Sequence, residues 1–490
     1  MKTRIQNLFC LPVLTAGFGL MLVCPVTAQT FTNLHSFTAV SGPFPYTNSD
    51  GANPQGGLIL SGTNLYGTAA NGGRLGAGTV FTVNTDGTNY TILHTFTNSP
   101  DGAYPEAGLI LSGSTLFGTA NGGGDSSSDG TVFKVNTNGS GFTNIYTFTG
   151  GTDGANPTAG LILSGTNLYG TTYGNFSGNP GGNGTVFKVN TNGTGFALLH
   201  GFSALSASSP YANNDGANPQ GGLILSGTNL YGTAQYGGAW GNGTVFRVNT
   251  NGTGFTNLHS FTTNSASFPY TNSDGASPQA GLLLSGNTLY GTANLGGTWG
   301  NGTVFTVSTN GTGFTTLHSF TAISGPLSTN SDGAYPEAGL FLSGNTLYGT
   351  AGYGGSSGKG TMFAVNTDGT GFTNLHSFTG GSDGAYPRAG LIQSVNNTLF
   401  GTANVGGSSG KGTVFKLAPP VPILSAQRSG TNFLFSFPAF PGASYTVQQN
   451  TNLAGTNWIA FTNILGGGAV TQFILPATNA AWLFFRVSQP

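Results

Sequence analysis

Four short sequence blocks recur seven times in a fixed order, and this repetition constrains the fold of the 490-residue chain more than any other feature. An FTNLHSF-like block begins at Phe31, Tyr90, Phe142, Phe196, Phe255, Phe314 and Phe372. A DGAxP block leading into GLIL begins at Asp50, Asp101, Asp153, Asp215, Asp274, Asp332 and Asp383. LYGT or LFGT begins at Leu65, Leu116, Leu168, Leu230, Leu289, Leu347 and Leu399. GTVF, once GTMF, begins at Gly78, Gly130, Gly184, Gly243, Gly302, Gly360 and Gly412. Successive GTVF glycines stand 52, 54, 59, 59, 58 and 52 residues apart. A period of this size with four strand-like blocks per unit marks a propeller blade.

The blocks read as strands. They are β-branched and aromatic, four to seven residues long, and bounded by Gly, Asn and Asp. Asn-Thr-Asp-Gly, as at Asn366–Gly369, is a hairpin signal because Asn, Asp and Gly tolerate positive φ. A second tight turn, Ser-Gly-Thr-Asn or Ser-Gly-Asn-Thr, separates GLIL from LYGT. No segment sustains a capped apolar period of a helix, so the chain is all-β.

Naming the strands A (GLIL), B (LYGT), C (GTVF) and D (FTNLHSF) exposes the closure. The array starts with a lone D strand at Phe31 and ends with a lone C strand at Gly412–Leu417. In a seven-bladed ring the first D strand completes the last blade, and both exposed edges disappear. An open solenoid would strand half a blade at each end.

The blocks Leu347-Tyr348-Gly349-Thr350-Ala351, Gly360-Thr361-Met362-Phe363 and Asn366 through Phe378 resemble the bacterial choice-of-anchor GloVer tandem repeat. The resemblance spans about Phe31 to Leu417, with whole repeats matching in order. It implies an exported bacterial protein. It implies no catalytic residue.

Residues 1–28 read as a signal peptide: Lys2 and Arg4 precede an apolar stretch from Leu8 to Val23, and Val26-Thr27-Ala28 offers a cleavage site before Gln29. Both cysteines, Cys10 and Cys24, fall inside it, so the mature chain is expected to carry no disulfide or cysteine-bound metal. No second hydrophobic span follows, so no membrane span is expected in the mature chain. The propeller is assigned to 29–418 and a proline-rich linker to 419–425. Residues 426–490 are read as a small β-sandwich on the alternation around Tyr445, Val447 and Gln449, with Trp458 and Phe484 to Val487. Such a tail suits attachment to a cell surface or a passive cap.

Charge narrows the function. Only 5% of residues are charged, against about 25% in ordinary domains. Without Lys2 and Arg4 the chain has 10 basic and 13 acidic residues, a formal charge of −3. No basic stripe exists for a phosphate backbone, which excludes nucleic acid as a partner.

Candidate sites fall where D–A and B–C loops share a face. Within P-x-A/G-G, ahead of strand A, the changing residue is Gln55, Glu106, Thr158, Gln220, Gln279, Glu337 and Arg388. A fixed frame around a varying polar residue is what a ligand-contact ring at the channel mouth requires; solvated positions ahead of a strand are the alternative. Glu106 and Glu337 would supply a glycosidase pair if their carboxylates lay about 5–9.5 Å apart. The six D-strand histidines are expected to pack at the outer rim, a blade apart, and the seven Asp-Gly pairs to form Asx turns. No cofactor motif, metal set or Ser-His-Asp set is legible.

Aromatic placement suggests a ligand. Trp240 and Trp299 hold equivalent B–C loop positions in adjacent blades, and Tyr236, Tyr353, Tyr173 and Phe176 sit in other B–C loops. Longer D–A loops add Tyr46, Tyr211, Phe268 and Tyr270. Aromatic faces beside amides in a weakly charged surface suit a neutral polysaccharide, or a cell-surface protein; gap filling under long loops is the plainer reading. The expectation is a secreted or cell-surface binding or scaffold propeller, with a carbohydrate-active enzyme as the alternative.

Overall fold

The computed structural model describes residues 11–13, 21–23, 29–42, 45–174 and 182–418, together with six strands between 425 and 488. Two compact units emerge. One gathers Asn33–Ile392 and Phe400–Phe415, and the remaining described residues form the other.

Seven four-stranded sheets follow the expected A-B-C-D order. The first comprises Ile59–Ser61, Asn64–Ala69, Thr79–Asn84 and Thr91–Thr95. In the seventh, strand D is Thr30–Ser36, which joins Thr413–Ala418 at the other end of the sequence. The chain is therefore a seven-bladed propeller closed by its N-terminal strand. Phe37 N donates to Gly412 O at 3.1 Å, and the Phe37 ring is fully buried with Leu34, Leu58, Phe400 and Val414.

Strand B is buried on both faces, which explains its unbroken apolar run. Leu65 packs with blade seven's Phe400 and Val414, whereas its neighbour Tyr66 packs with blade two's Leu109, Leu116 and Phe133. A period of two thus divides each strand between two interfaces. Gly67 leaves room for the GTVF ring, since a Cβ there would sit 2.6 Å from Phe81 Cζ. Where C meets D, the register slips between Val80 and Phe81, and the slip recurs through Met362 and Phe363 in blade six. Such bulges increase twist at the outer edge.

The second unit contains two three-stranded sheets in the tail. One orders Ser425–Ser429, Asn432–Phe437 and Thr471–Pro476; the other orders Ile459–Leu465, Ser444–Asn450 and Phe484–Ser488. Within the first 28 residues, Leu11–Val13 pairs with Met21–Val23. The rest of that segment, Phe176, the linker 419–424 and Trp458 lie outside the described residues. No helix among the described residues is long and apolar enough to cross a membrane.

Candidate functional site

The face that carries the candidate residues is built from the DGAxP segment, and each of its residues has a separate task. Asp101 reaches back to blade one, accepting from His94 Nε2 at 2.8 Å, from Thr97 N at 2.9 Å and from the Thr97 hydroxyl. Equivalent pairs are His35–Asp50, His200–Asp215, His259–Asp274, His318–Asp332 and His376–Asp383, and Tyr146 replaces histidine against Asp153. At Asp50, Asp101, Asp215, Asp274, Asp332 and Asp383 burial opposes ionisation, but the bonds from His, the hydroxyl and the backbone outweigh it, and these carboxyls lie below the ordinary carboxylate range. The aspartates therefore do not make the Asx turns expected of them. Asn48, Asn213, Asn272 and Asn330 do so instead, each accepting from the glycine of DGA.

The histidines pack on the D strands as anticipated, and the imidazoles of His35, His94, His200, His259 and His318 also stack on the next blade's aromatic, with His94 3.5 Å from Phe142. Ser203, His200 and Asp215 do converge, but Asp215 sits between the other two. The serine hydroxyl gives its proton to the carboxylate and has no base, so the set is unfit for nucleophilic attack.

The residue before proline adopts a left-handed conformation in every blade: Asn53, Tyr104, Asn156, Asn218, Ser277, Tyr335 and Tyr386. This turns its N–H onto the preceding blade, as in Tyr104 N to Ala77 O at 2.9 Å and, across the closure, Asn53 N to Lys411 O at 2.8 Å. The proline then lies against the GTVF glycine of that blade, where a Cβ on Gly243 would sit 2.5 Å from Pro278 Cδ. A buried threonine of LYGT completes the junction. Thr68, Thr233 and Thr350 donate to Ala107, Ala280 and Ala389 carbonyls at 2.9, 2.8 and 3.0 Å, and Thr402 donates to Gly56 O at 3.3 Å to close the ring.

These bonds position the P-x-A/G-G residues just above the channel. Gln55, Glu106, Thr158, Gln220, Gln279, Glu337 and Arg388 are all half-buried. Below them, glycines of successive A strands nearly touch: a Cβ on Gly108 would sit 2.9 Å from Gly57 O, and one on Gly57 would sit 3.6 Å from Gly390 O. A cavity of about 320 Å³ runs along these glycines and the leucines that follow them.

The ring is wired locally. Asn121 Nδ2 donates to Glu106 at 3.2 Å, Asn294 Nδ2 to Gln279 at 3.2 Å, and Gln220 bonds Tyr173. Arg388 Nε lies 3.2 Å from Glu337 Oε2. Burial raises the pKa of both glutamates. Asn121 and Arg388 oppose it at Glu106; Arg388 and Asn294 oppose it at Glu337. Arg388 thus acts on a carboxylate of its neighbouring blade and on one beyond blade one. Asn121 Oδ1, Thr158 Oγ1, Gln235 Oε1 and Asn404 Oδ1 are buried without a hydrogen-bond partner. Unsatisfied polar atoms at one mouth are acceptors and donors waiting for water or ligand.

The tryptophans do not join this ring. Trp240 and Trp299 are each 49% exposed, in loops tied toward the outer strand by Ala239 N to Ser260 Oγ at 3.3 Å and Thr298 N to Ser319 Oγ at 2.9 Å. The long D–A loops lie beside them: Gly241 abuts Pro210, and Gly300 abuts Pro269 and Tyr270. Each tryptophan is therefore accompanied by an exposed tyrosine on the adjoining loop, Tyr211 in blade four and Tyr270 in blade five. Tyr236 stands apart from that pair, bridged to Ala217 and interacting with Tyr173. Sequence reasoning passed over one cluster: Tyr353 lies 5.6 Å from Tyr335 and 4.9 Å from Tyr386, whose hydroxyl accepts from Lys359 Nζ at 2.9 Å. The signal was tyrosine in a left-handed position that asparagine or serine fills in other blades.

The Gloeobacter/Verrucomicrobia repeat matches residues 25–213, 176–325 and 267–469. The chain belongs to this repeat family. The resemblance read from its blocks is thereby confirmed, and the Gloeobacter/Verrucomicrobia repeat takes the form of a propeller blade here. No curated protein matches the sequence. Among solved structures, a Bacteroides uniformis protein assigned as a 6-phosphogluconolactonase is 16% identical with a TM-score of 0.42, covering 86% of this chain and all of its own. PorZ, a surface component of the type-IX secretion system of Porphyromonas gingivalis, is 13% identical with a TM-score of 0.45, over 88% of this chain and 56% of PorZ. An Agrobacterium tumefaciens protein assigned as TolB is 10% identical with a TM-score of 0.37, over 68% and 94%.

Proposed function

We propose that the chain is an exported, non-catalytic binding propeller that holds a neutral polysaccharide on the rim of its top face. The carrying observation is the pair Trp240 and Trp299, half-exposed at equivalent positions of adjacent blades with Tyr211 and Tyr270 beside them. Large apolar rings normally find cover, and four held open on one face would serve as a platform. Pyranose rings present C–H faces to such platforms, and the scarcity of charge favours a neutral polymer over an anionic one. The signal peptide at 1–28 would deliver the protein outside the cytoplasm. The two tail sheets would pack as a small sandwich and attach it to the cell surface.

The double variant Trp240→Ala/Trp299→Ala tests this. Capture on an insoluble glucan, chitin or xylan should be lost while the melting temperature stays within about 2 °C, since exposed positions contribute little stability. Retained capture defeats the proposal; capture of a cell-surface protein instead would assign the same platform to a different partner.

A hydrolase using Glu106 and Glu337 is the second reading, favoured by the burial that raises both carboxyls. Against it stands Arg388, which ion-pairs with Glu337 and stabilises the charged form.

A further inference from the structure

We infer that a cavity in blade two is a separate binding site for one neutral sugar ring. The cavity measures about 340 Å³ and is lined by Asn98, Tyr104, Asn121, Gly122, Ser128 and Asn156, with Gly123 beneath. That volume lies at the lower end of small-molecule sites, roughly 300–1,000 Å³.

The cavity exists because of a combination found in blade two. The position of Gly122 pairs with the alanine of DGA and carries Asn71, Tyr236, Leu295, Tyr353 and Val405 in other blades; blade three also has glycine there, Gly174, but beside Asn156 and not a tyrosine. In blade six, Tyr353 covers the left-handed Tyr335 at 5.6 Å. Blade two keeps the left-handed tyrosine, Tyr104 at φ 57°, but replaces its cover with glycine. The ring of Tyr104 is left 36% exposed and walls the cavity. A tyrosine at positive φ is costlier than the asparagine found there in blades one, three and four, and no neighbouring ring offsets that cost here.

The polar groups define the ligand. Asn121 donates its Nδ2 to Glu106, an acceptor, and this fixes the amide so that Oδ1 is left buried and unpaired. A hydroxyl proton satisfies it. Asn98 adds a further amide, and Asn156, whose Nδ2 donates to Asn121 O at 3.1 Å, adds a carbonyl oxygen, whereas no Lys or Arg lines the cavity. Glu106 behind Asn121 disfavours phosphates and uronic acids. A ring with hydroxyls on its edge and an apolar face for Tyr104 fits.

This site goes beyond the rim reading and does not depend on it. Titration of the purified chain with D-glucose, D-galactose and N-acetylglucosamine, followed by calorimetry or saturation-transfer NMR, reads it directly. At least one of them should bind saturably. Gly122→Tyr restores the cover seen in blade six, and Tyr104→Gly removes the wall at a backbone position glycine prefers; each should weaken binding by at least about tenfold. Trp240→Ala/Trp299→Ala should bind the monosaccharide as the parent does, even where polysaccharide capture is lost. The inference is overturned if none of the three sugars binds saturably, or if folded Gly122→Tyr binds as tightly as the parent.

Discussion

His94 Nε2 lies 2.8 Å from Asp101 Oδ2, and this pair ties the outer strand of one blade to the first segment of the next. The same segment then carries Tyr104, Pro105 and Glu106 toward the channel mouth. Blade cohesion and the geometry of the channel mouth therefore share a single stretch of backbone.

Acid should expose this dependence. The folded-state pKa of Asp50, Asp101, Asp215, Asp274, Asp332 and Asp383 is depressed, because hydrogen bonds to the carboxylates outweigh the opposing burial. Their stabilisation is thus fully present above the unfolded value near 3.8 and disappears as pH falls through the lower folded values. Thermal melts should hold level on this account just above about pH 5 and drop steeply below about pH 4. Asp101→Asn should cost about 1–3 kcal/mol at neutral pH and flatten part of that drop.

Ring closure has its own signature at Phe37. In an open array this residue would sit on a frayed terminal strand, but it is fully buried here against Phe400 and Val414. Phe37→Ala should cost about 3–5 kcal/mol by denaturant unfolding, matching Phe261→Ala inside the ring. A loss below about 1 kcal/mol would mean that the first strand does not close the propeller.

Two glycines separate backbone strain from steric fit. Gly227, at φ 59°, faces open space, so Gly227→Ala should cost about 1 kcal/mol. Gly243, at φ 99°, would place a Cβ 2.5 Å from Pro278 Cδ and 2.6 Å from Ala234 O. Gly243→Ala should cost about 3–5 kcal/mol, and paired melts of the two variants check the difference.

Thr233 tests the inner junction. Thr233→Val keeps the shape but strips the Ala280 carbonyl of its donor, at a cost of about 1–3 kcal/mol. Equal stability of the two proteins would show that this bond contributes nothing.

The ring was legible because periodicity needs only residue identity. Six copies of GTVF, one of GTMF and a D strand orphaned at Phe31 determine strand number and closure before any contact is known. The junction chemistry was not legible. His94 and Asp101 are seven residues apart in one blade, but His35 and Asp50 are fifteen apart in another, with a loop of different length between them. No fixed spacing marked them as partners, so the aspartates read as turn residues. The site was legible only as positions. Sequence order put Glu106, Glu337 and Arg388 in one ring, yet the ion pair between blades six and seven depends on side-chain reach. The tryptophans shared a face with that ring in the sequence reading; the structure ties their loops toward the outer strands. The blade-two cavity was hidden because a missing side chain at Gly122 leaves no motif behind.

The most direct measurement is capture of the purified mature chain on a panel of insoluble neutral polysaccharides, with released reducing ends assayed in the same tubes. The account predicts capture on at least one polymer without release of sugar. Release of sugar would contradict the non-catalytic assignment and turn attention to Glu106 and Glu337, and absence of capture on every polymer would contradict the glycan platform itself.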